Sequence, residues 1–201
     1  FEGHTLLPVL RRIQSAYGFA KPIVIADAGL LSNANIQQLR LDGYQFIIGG
    51  RIKNEAASEQ EVILSRASGM RDSDGFVINK TDGTRLIVTY SQSRAKKDAF
   101  NRERGLERLR SQIRGGQLTK QNINNRGYNR FLRITGSATV NIDEAKVVVD
   151  KKWDGLKGYV SNTDLSAQAV AENYKHLWRI EKAFRISKSD LRIRPIYHYL
   201  R

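Results

Sequence analysis

The 201 residues contain no cysteine, three prolines, three histidines, two tryptophans and one methionine. Without cysteine, disulfide frameworks, thiolate zinc sites and Cys nucleophiles are excluded, and nothing points to an oxidising compartment. The three histidines, His4, His176 and His198, are scattered and build no His-rich metal site; each reads as a packing or surface residue. No apolar run approaches the roughly 20 residues of a membrane span, and the first residues lack the basic patch and apolar stretch of an export signal. The cytoplasm is the expected compartment, and a membrane is not an expected partner. There is no Gly-x-Ser-x-Gly elbow, no Walker-type Gly-Lys-Ser/Thr loop and no His-Glu-x-x-His, which removes the best-marked hydrolase and nucleotide-binding classes. Phe1 opens the chain without a Met and Leu200-Arg201 closes it without a tail. The expectation is a piece of something longer.

What the chain has is positive charge. Lys and Arg number 34 against 20 Asp and Glu, a net of +14. Hydrophobic residues at 40% still suffice for the core of one large or two small domains. The charge is concentrated. Arg94 to Arg114 holds eight basic residues and three acids, and Tyr174 to Arg201 eight and two, so the two segments supply +11 of the +14. Clustered cations gain affinity for a polyphosphate by releasing its condensed counterions, whereas an evenly basic surface need not. Nucleic acid is the partner this predicts. Tyr174, Trp178, Phe184 and Tyr197 lie among the second set of cations, where aromatic faces can stack on bases or simply pack in a core.

Periodicity organises the first fifty residues. Thr5 is a good helix cap, Leu6, Leu7, Leu10, Ile13 and Tyr17 recur at helical spacing, and Gly18 ends the helix. Ile23 to Ala26 is apolar on both faces, as a buried parallel strand is, and stops at Asp27. A short helix capped by Ser32 or Asn33 and a strand over Tyr44 to Ile48 follow. This is α/β grammar. From Ile52 the pattern changes: Val62 to Leu64, Phe76 to Ile78, Leu86 to Tyr90, Ala138 to Ile142 and Lys146 to Val149 read as short strands separated by turns such as Asp74-Gly75, Asp82-Gly83 and Asp143-Glu144. The expectation is a β-rich insertion containing one basic helix, Arg94 to Arg114. A strand over Gly158 to Ser161 and one long helix from about Leu165, capped by Asp164 or Thr163, to about Lys188 complete the reading.

Two acids are placed to do chemistry. Asp27 follows directly on a buried strand, and in open α/β sheets sites form at the carboxyl ends of strands. There it can serve a hard cation or merely cap a turn. Glu181 lies seven residues from both Tyr174 and Lys188, so a continuous helix puts all three in one stripe; an exposed pair with Arg185 explains it equally well. Asp72, Asp74 and Asp82 fall in turns and are assigned no catalytic role.

Tyr174, Leu177, Glu181 and Lys188 fit the Tyr-x2-Arg-x3-Glu-x6-Lys signature of DDE transposases of bacterial insertion sequences at three of four positions, Leu177 standing where the Arg would be. Ile25-Ala26-Asp27-Ala28-Gly29-Leu30-Leu31-Ser32 resembles the segment carrying that family's second catalytic Asp. Phe1 to Thr5, Trp153 to Tyr159 and Ile193 to His198 resemble one branch of the same family. The resemblance implies an RNase H-like core, incomplete at its N-terminus, in residues 1–51 and 158–201, with the β-rich subdomain inserted at 52–157. It implies that Asp27 and Glu181 are catalytic acids holding two Mg2+ or Mn2+ ions together with a first Asp that no residue here replaces, so that the isolated fragment is inactive. An Ile23 to Ala26 strand without that first strand would be an exposed edge. Tyr174, Lys188 and Arg185 would position phosphates of double-stranded DNA, and Trp153 would stack on a flipped base or pack in the core. A homodimer on DNA and a bacterial cytoplasmic, nucleoid-associated setting are implied as well. The competing expectation is a DNA-binding remnant or truncated inhibitor of transposition, without catalysis.

Overall fold

The computed structural model describes residues 6–18, 20–27, 33–135 and 139–189. The resemblance-bearing phrases at 1–5 and 193–198 and the turn at 28–32 lie outside these residues, as do the side chains of Phe184 and Lys188. The chain divides into two compact units, one of Phe1–Asn54, Gly75–Thr89 and Gly158–Arg201, the other of Glu55–Asp74 and Tyr90–Lys157.

The first unit is built on a five-stranded mixed sheet. Its strands are β1 (Val24–Ala26), β2 (Phe46–Gly50), β3 (Gly75–Asn79), β4 (Arg85–Tyr90) and β7 (Leu156–Ser161), in the order β1-β2-β7-β4-β3. β1 and β2 are parallel, with Val24 opposite Phe46 and Ala26 opposite Ile48, and β2 runs antiparallel to β7. Within the described sheet β1 is an edge strand. Helices α1 (Leu6–Tyr17) and α2 (Asn33–Leu41) form where the periodicity places them, and Gly18 closes α1 at φ 63°. Their apolar sides meet Val24, Ala26, Phe46 and Ile48 in one cluster on the sheet. Each such side chain, fully buried, contributes about 1.5–3 kcal/mol.

The hairpin β3–β4 belongs to this sheet, whereas the sequence pattern put both strands in the insertion. Its turn is the expected Asp82-Gly83: Gly83 adopts φ 79°, and Asp82 Oδ1 accepts from the backbone N–H and hydroxyl of Thr84 at 2.9 and 2.7 Å. Past the end of β7, Asn162 extends the ladder by side chain, accepting from Phe46 N at 2.8 Å and donating to Tyr44 O at 3.0 Å. The segment leading into the next helix is thereby fixed to β2.

In its described residues the second unit is mainly helical, where the sequence pattern suggested a β-rich insertion. Among the described residues it holds helices α3 (Ala57–Ala67), α4 (Gln92–Arg114) and α5 (Glu144–Lys151) and one antiparallel pair, β5 (Leu132–Thr135) with β6 (Thr139–Ile142). Two expected strands are helical. Val62 to Leu64 lies in α3, where the flanking Glu-Gln-Glu and Ser-Arg favour helix and only Ile63 of the apolar triple is fully buried. Lys146 to Val149 lies in α5, because Asp143 acts as a helix cap, accepting from Lys146 N, and overrides the β-preference of three valines. Leu106 and Leu109 of α4 pack with Phe131, Leu132, Val140 and Val147 as the core of this unit. A Cβ on Gly105 would lie 2.4 Å from the Tyr128 ring, so α4 needs glycine there despite its helix cost of about 1 kcal/mol.

Candidate active site

Both faces of β1 are engaged: Val24 and Ala26 are buried in one cluster, and Ile25 packs against the other, around Ile47, Ile87 and Tyr159. That fixes the backbone at the strand's carboxyl end, and the next residue, Asp27, is exposed. The sequence pattern placed it so. What it faces is supplied by α6 (Ala167–Lys175). This helix is capped by Ser166, which accepts from Ala169 N at 3.2 Å, rather than by Asp164 or Thr163. It sits close on the sheet because Gly75 of β3 has no side chain; a Cβ there would come 2.8 Å from that of Ala167. Ala167, Val170 and Tyr174 are its buried face. The Tyr174 ring meets Tyr159 of β7 edge to face, centroids 5.0 Å apart, and its hydroxyl donates to Oδ1 of Asp27 at 3.2 Å.

The long final helix of the sequence reading is two helices. α6 ends at Lys175 and α7 runs over Leu177–Ser189, with His176 between them. At the joint the bonds shorten to three residues, His176 N to Asn173 O at 3.2 Å and Arg179 N to His176 O at 3.1 Å, a tightened turn with no proline or glycine to announce it. Tyr174 and Glu181 are therefore on different helices. Burial pushes the Tyr174 phenol well above its ordinary value, and the negative charge and hydrogen bond of Asp27 add to this, as does the charge of Glu181. One hydroxyl thus feels both candidate acids, and Glu181 is exposed like Asp27.

The remaining predicted residues separate. Arg185 is exposed on α7 one turn beyond Glu181, and Lys188 is in α7 at a further turn. Tyr174 is only 9% exposed, and its hydroxyl donates to Asp27. Trp153 is 6% exposed in the second unit. Its ring is covered by protein. Of the turn acids, Asp74 accepts locally from Arg71 N, whereas Asp72 accepts from Gln92 N at the start of α4. The hydrogen bond between Tyr174 and Asp27 had no signal in spacing, since 147 residues separate its partners.

Two exposed carboxylates are oxygen donors of the kind a hard divalent cation takes, so Asp27 and Glu181 fit such an ion chemically. Among the described residues no three His, Cys, Asp or Glu side chains are grouped to hold one. The comparison with known families decides the context: the family model described as the transposase DDE domain matches residues 2–199. The chain belongs to that family. The mixed sheet with helices agrees with the RNase H-like fold of a DDE transposase, whose general activity is DNA cleavage and transposition with divalent metal ions. No curated protein and no solved structure matches the chain. Among the described residues no helix of this transposase domain is long and apolar enough to cross a membrane.

Proposed function

We propose that the chain is the catalytic portion of a transposase of the bacterial insertion-sequence type, with Asp27 and Glu181 as the second and third acids of its strand-cleavage centre. The observation that carries the reading is the Tyr174 hydroxyl, hydrogen-bonded to Asp27 and within the field of Glu181. It links Asp27, from the segment resembling the second catalytic Asp, to the tyrosine of the Tyr-Arg-Glu-Lys pattern that also contains Glu181. Two divalent ions in such a centre, Mg2+ or Mn2+, supply activation of the attacking oxygen and stabilisation of the leaving one. Asp27 and Glu181 would hold them. Tyr174 orients the Asp27 carboxylate, as outer hydrogen bonds do for metal-binding acids. Arg185 and Lys188, four and seven residues past Glu181 in sequence, would hold end-DNA phosphates, contacts that orient without reading sequence. The action on DNA is that of a homodimer, in a bacterial cytoplasmic setting.

Such a centre uses three acids, of which this reading assigns two to these residues. These 201 residues by themselves are then expected to bind the ion and not to cleave. Titration with Mn2+ followed by electron paramagnetic resonance tests the first part: Asp27→Asn and Glu181→Gln should each weaken uptake by about tenfold or more. Uptake unchanged in both variants would remove the assignment. Metal-dependent nicking by the chain alone, above a Glu181→Ala control, would show that two acids are enough. A second reading, DNA binding without catalysis, draws on the absence of a three-ligand group among the described residues; it expects duplex binding with no Mn2+ uptake at all.

A further inference from the structure

Helix α4 carries its charge in sectors. At about 100° per residue, Arg102, Leu106 and Leu109 form its buried side. Glu103, Glu107, Arg110 and Arg114 share one flank, where they pair: Arg110 lies 4.0 Å from Glu103 and 3.8 Å from Glu107, and Arg114 3.3 Å from Glu107. Asp98 pairs with Arg94 at 3.5 Å. Lys97, Arg104 and Arg108 fall within about 40° of one another on the far side of the helix from the buried residues. All three are exposed, and among the described residues none has an acid within ion-pair distance. The acids of α4 are used up on its flanks, leaving a ridge of cations alone.

We infer that this ridge, Lys97, Arg104 and Arg108, is a docking surface for the phosphodiester backbone of duplex DNA. The outer two positions are eleven steps apart, about 16 Å of helix axis, a length over which one DNA strand presents several phosphates. Arg and Lys contacts of this type fix position without reading bases. A membrane surface suits the helix less well. Phe100, 66% exposed, is the one large apolar side chain that α4 exposes, whereas an interfacial helix needs a whole apolar face. The inference rests on the transposase reading for its choice of polyanion and adds a contact in the second unit.

The test measures binding of the full chain to a short duplex between about 50 and 200 mM salt, where each phosphate contact contributes about 0.9 to the slope of log K against log salt. The triple variant Lys97→Gln/Arg104→Gln/Arg108→Gln should flatten the slope by about 2.7, with the circular-dichroism melting midpoint unchanged because the side chains are exposed. Arg110→Gln/Arg114→Gln, on the paired flank, should leave it nearly as it is. Lys97→Arg/Arg104→Lys/Arg108→Lys, which keeps charge, should retain the slope and guards against misfolding of the neutral variant. Wild-type slope in the triple variant overturns the inference while leaving the transposase reading intact. Absence of duplex binding by the unmodified chain overturns both. Binding to phosphatidylserine vesicles that the triple variant loses, with DNA binding untouched, overturns it in favour of a membrane.

Discussion

The Tyr174 hydroxyl donates to Oδ1 of Asp27 at 3.2 Å across 147 residues of sequence. Two rigid elements meet in that bond. Asp27 is carried by a strand packed on both faces, and Tyr174 by a helix seated on the sheet through Ala167, Val170 and its own ring. A carboxylate at a strand end has rotamer freedom; a buried phenol held against Tyr159 removes part of it.

Tyr174→Phe isolates this effect, because the ring still fills its place against Tyr159. Loss of one hydrogen bond to a charged acceptor should lower stability by about 1–2 kcal/mol in urea denaturation. If Asp27 holds a divalent ion, the same variant should weaken Mn2+ uptake about 10–100-fold without abolishing it. A loss of stability with unchanged uptake would leave Tyr174 a purely structural residue.

The buried phenol also predicts how stability varies at high pH. In the unfolded chain Tyr174 ionises near its ordinary value of 10.0, and in the fold burial and the charges of Asp27 and Glu181 hold it protonated well above that. Between these limits the unfolded state binds fewer protons than the native one, so stability declines as pH rises above about 10, by at most about 1.4 kcal/mol per pH unit from this group. Below pH 10 the contribution is complete. Denaturation series at increasing alkaline pH should therefore be steeper for the wild type than for Tyr174→Phe, and the phenolate absorbance of the native protein should lack one early-titrating tyrosine relative to the unfolded chain. Equal steepness in the two proteins would mean that the hydroxyl is not shielded.

The elements of the first unit were legible because they are regular: α1 ends at a glycine of positive φ, β1 is apolar on both faces, and the turn of the β3–β4 hairpin carries Asp82-Gly83 with Gly83 at positive φ. Legibility failed where local and tertiary signals compete. Three successive valines at 147 to 149 read as a strand, and the Asp143 cap made them a helix with Val148 and Val149 exposed. Hairpin strands β3 and β4 were visible, but not the sheet they join, since pairing partners do not announce themselves in a pattern of alternation. The joint at His176 has no breaker residue, so a single helix was the natural expectation. Asp27 and Glu181 could be singled out from position and resemblance. That Tyr174 bonds to Asp27 required the fold.

The second unit offers the largest expected stability effect. Arg102 of α4 is 5% exposed, grips Asp154 through two nitrogens at 2.5 and 2.6 Å, and lies 3.6 Å from Asp150, which also meets Arg130 at 3.4 Å. The pair ties α4 to the end of α5 inside the unit. A buried ion pair is a weak contributor as a pair, because desolvation offsets its attraction, yet breaking it strands a buried charge. Asp154→Asn or Asp154→Leu should cost about 3–5 kcal/mol. Arg102→Met combined with Asp154→Leu should cost distinctly less than the sum of the two single changes, with urea denaturation of all four proteins closing the cycle. Additive losses would mean that Arg102 and Asp154 act through separate packing contacts and that the charge pairing itself holds nothing together.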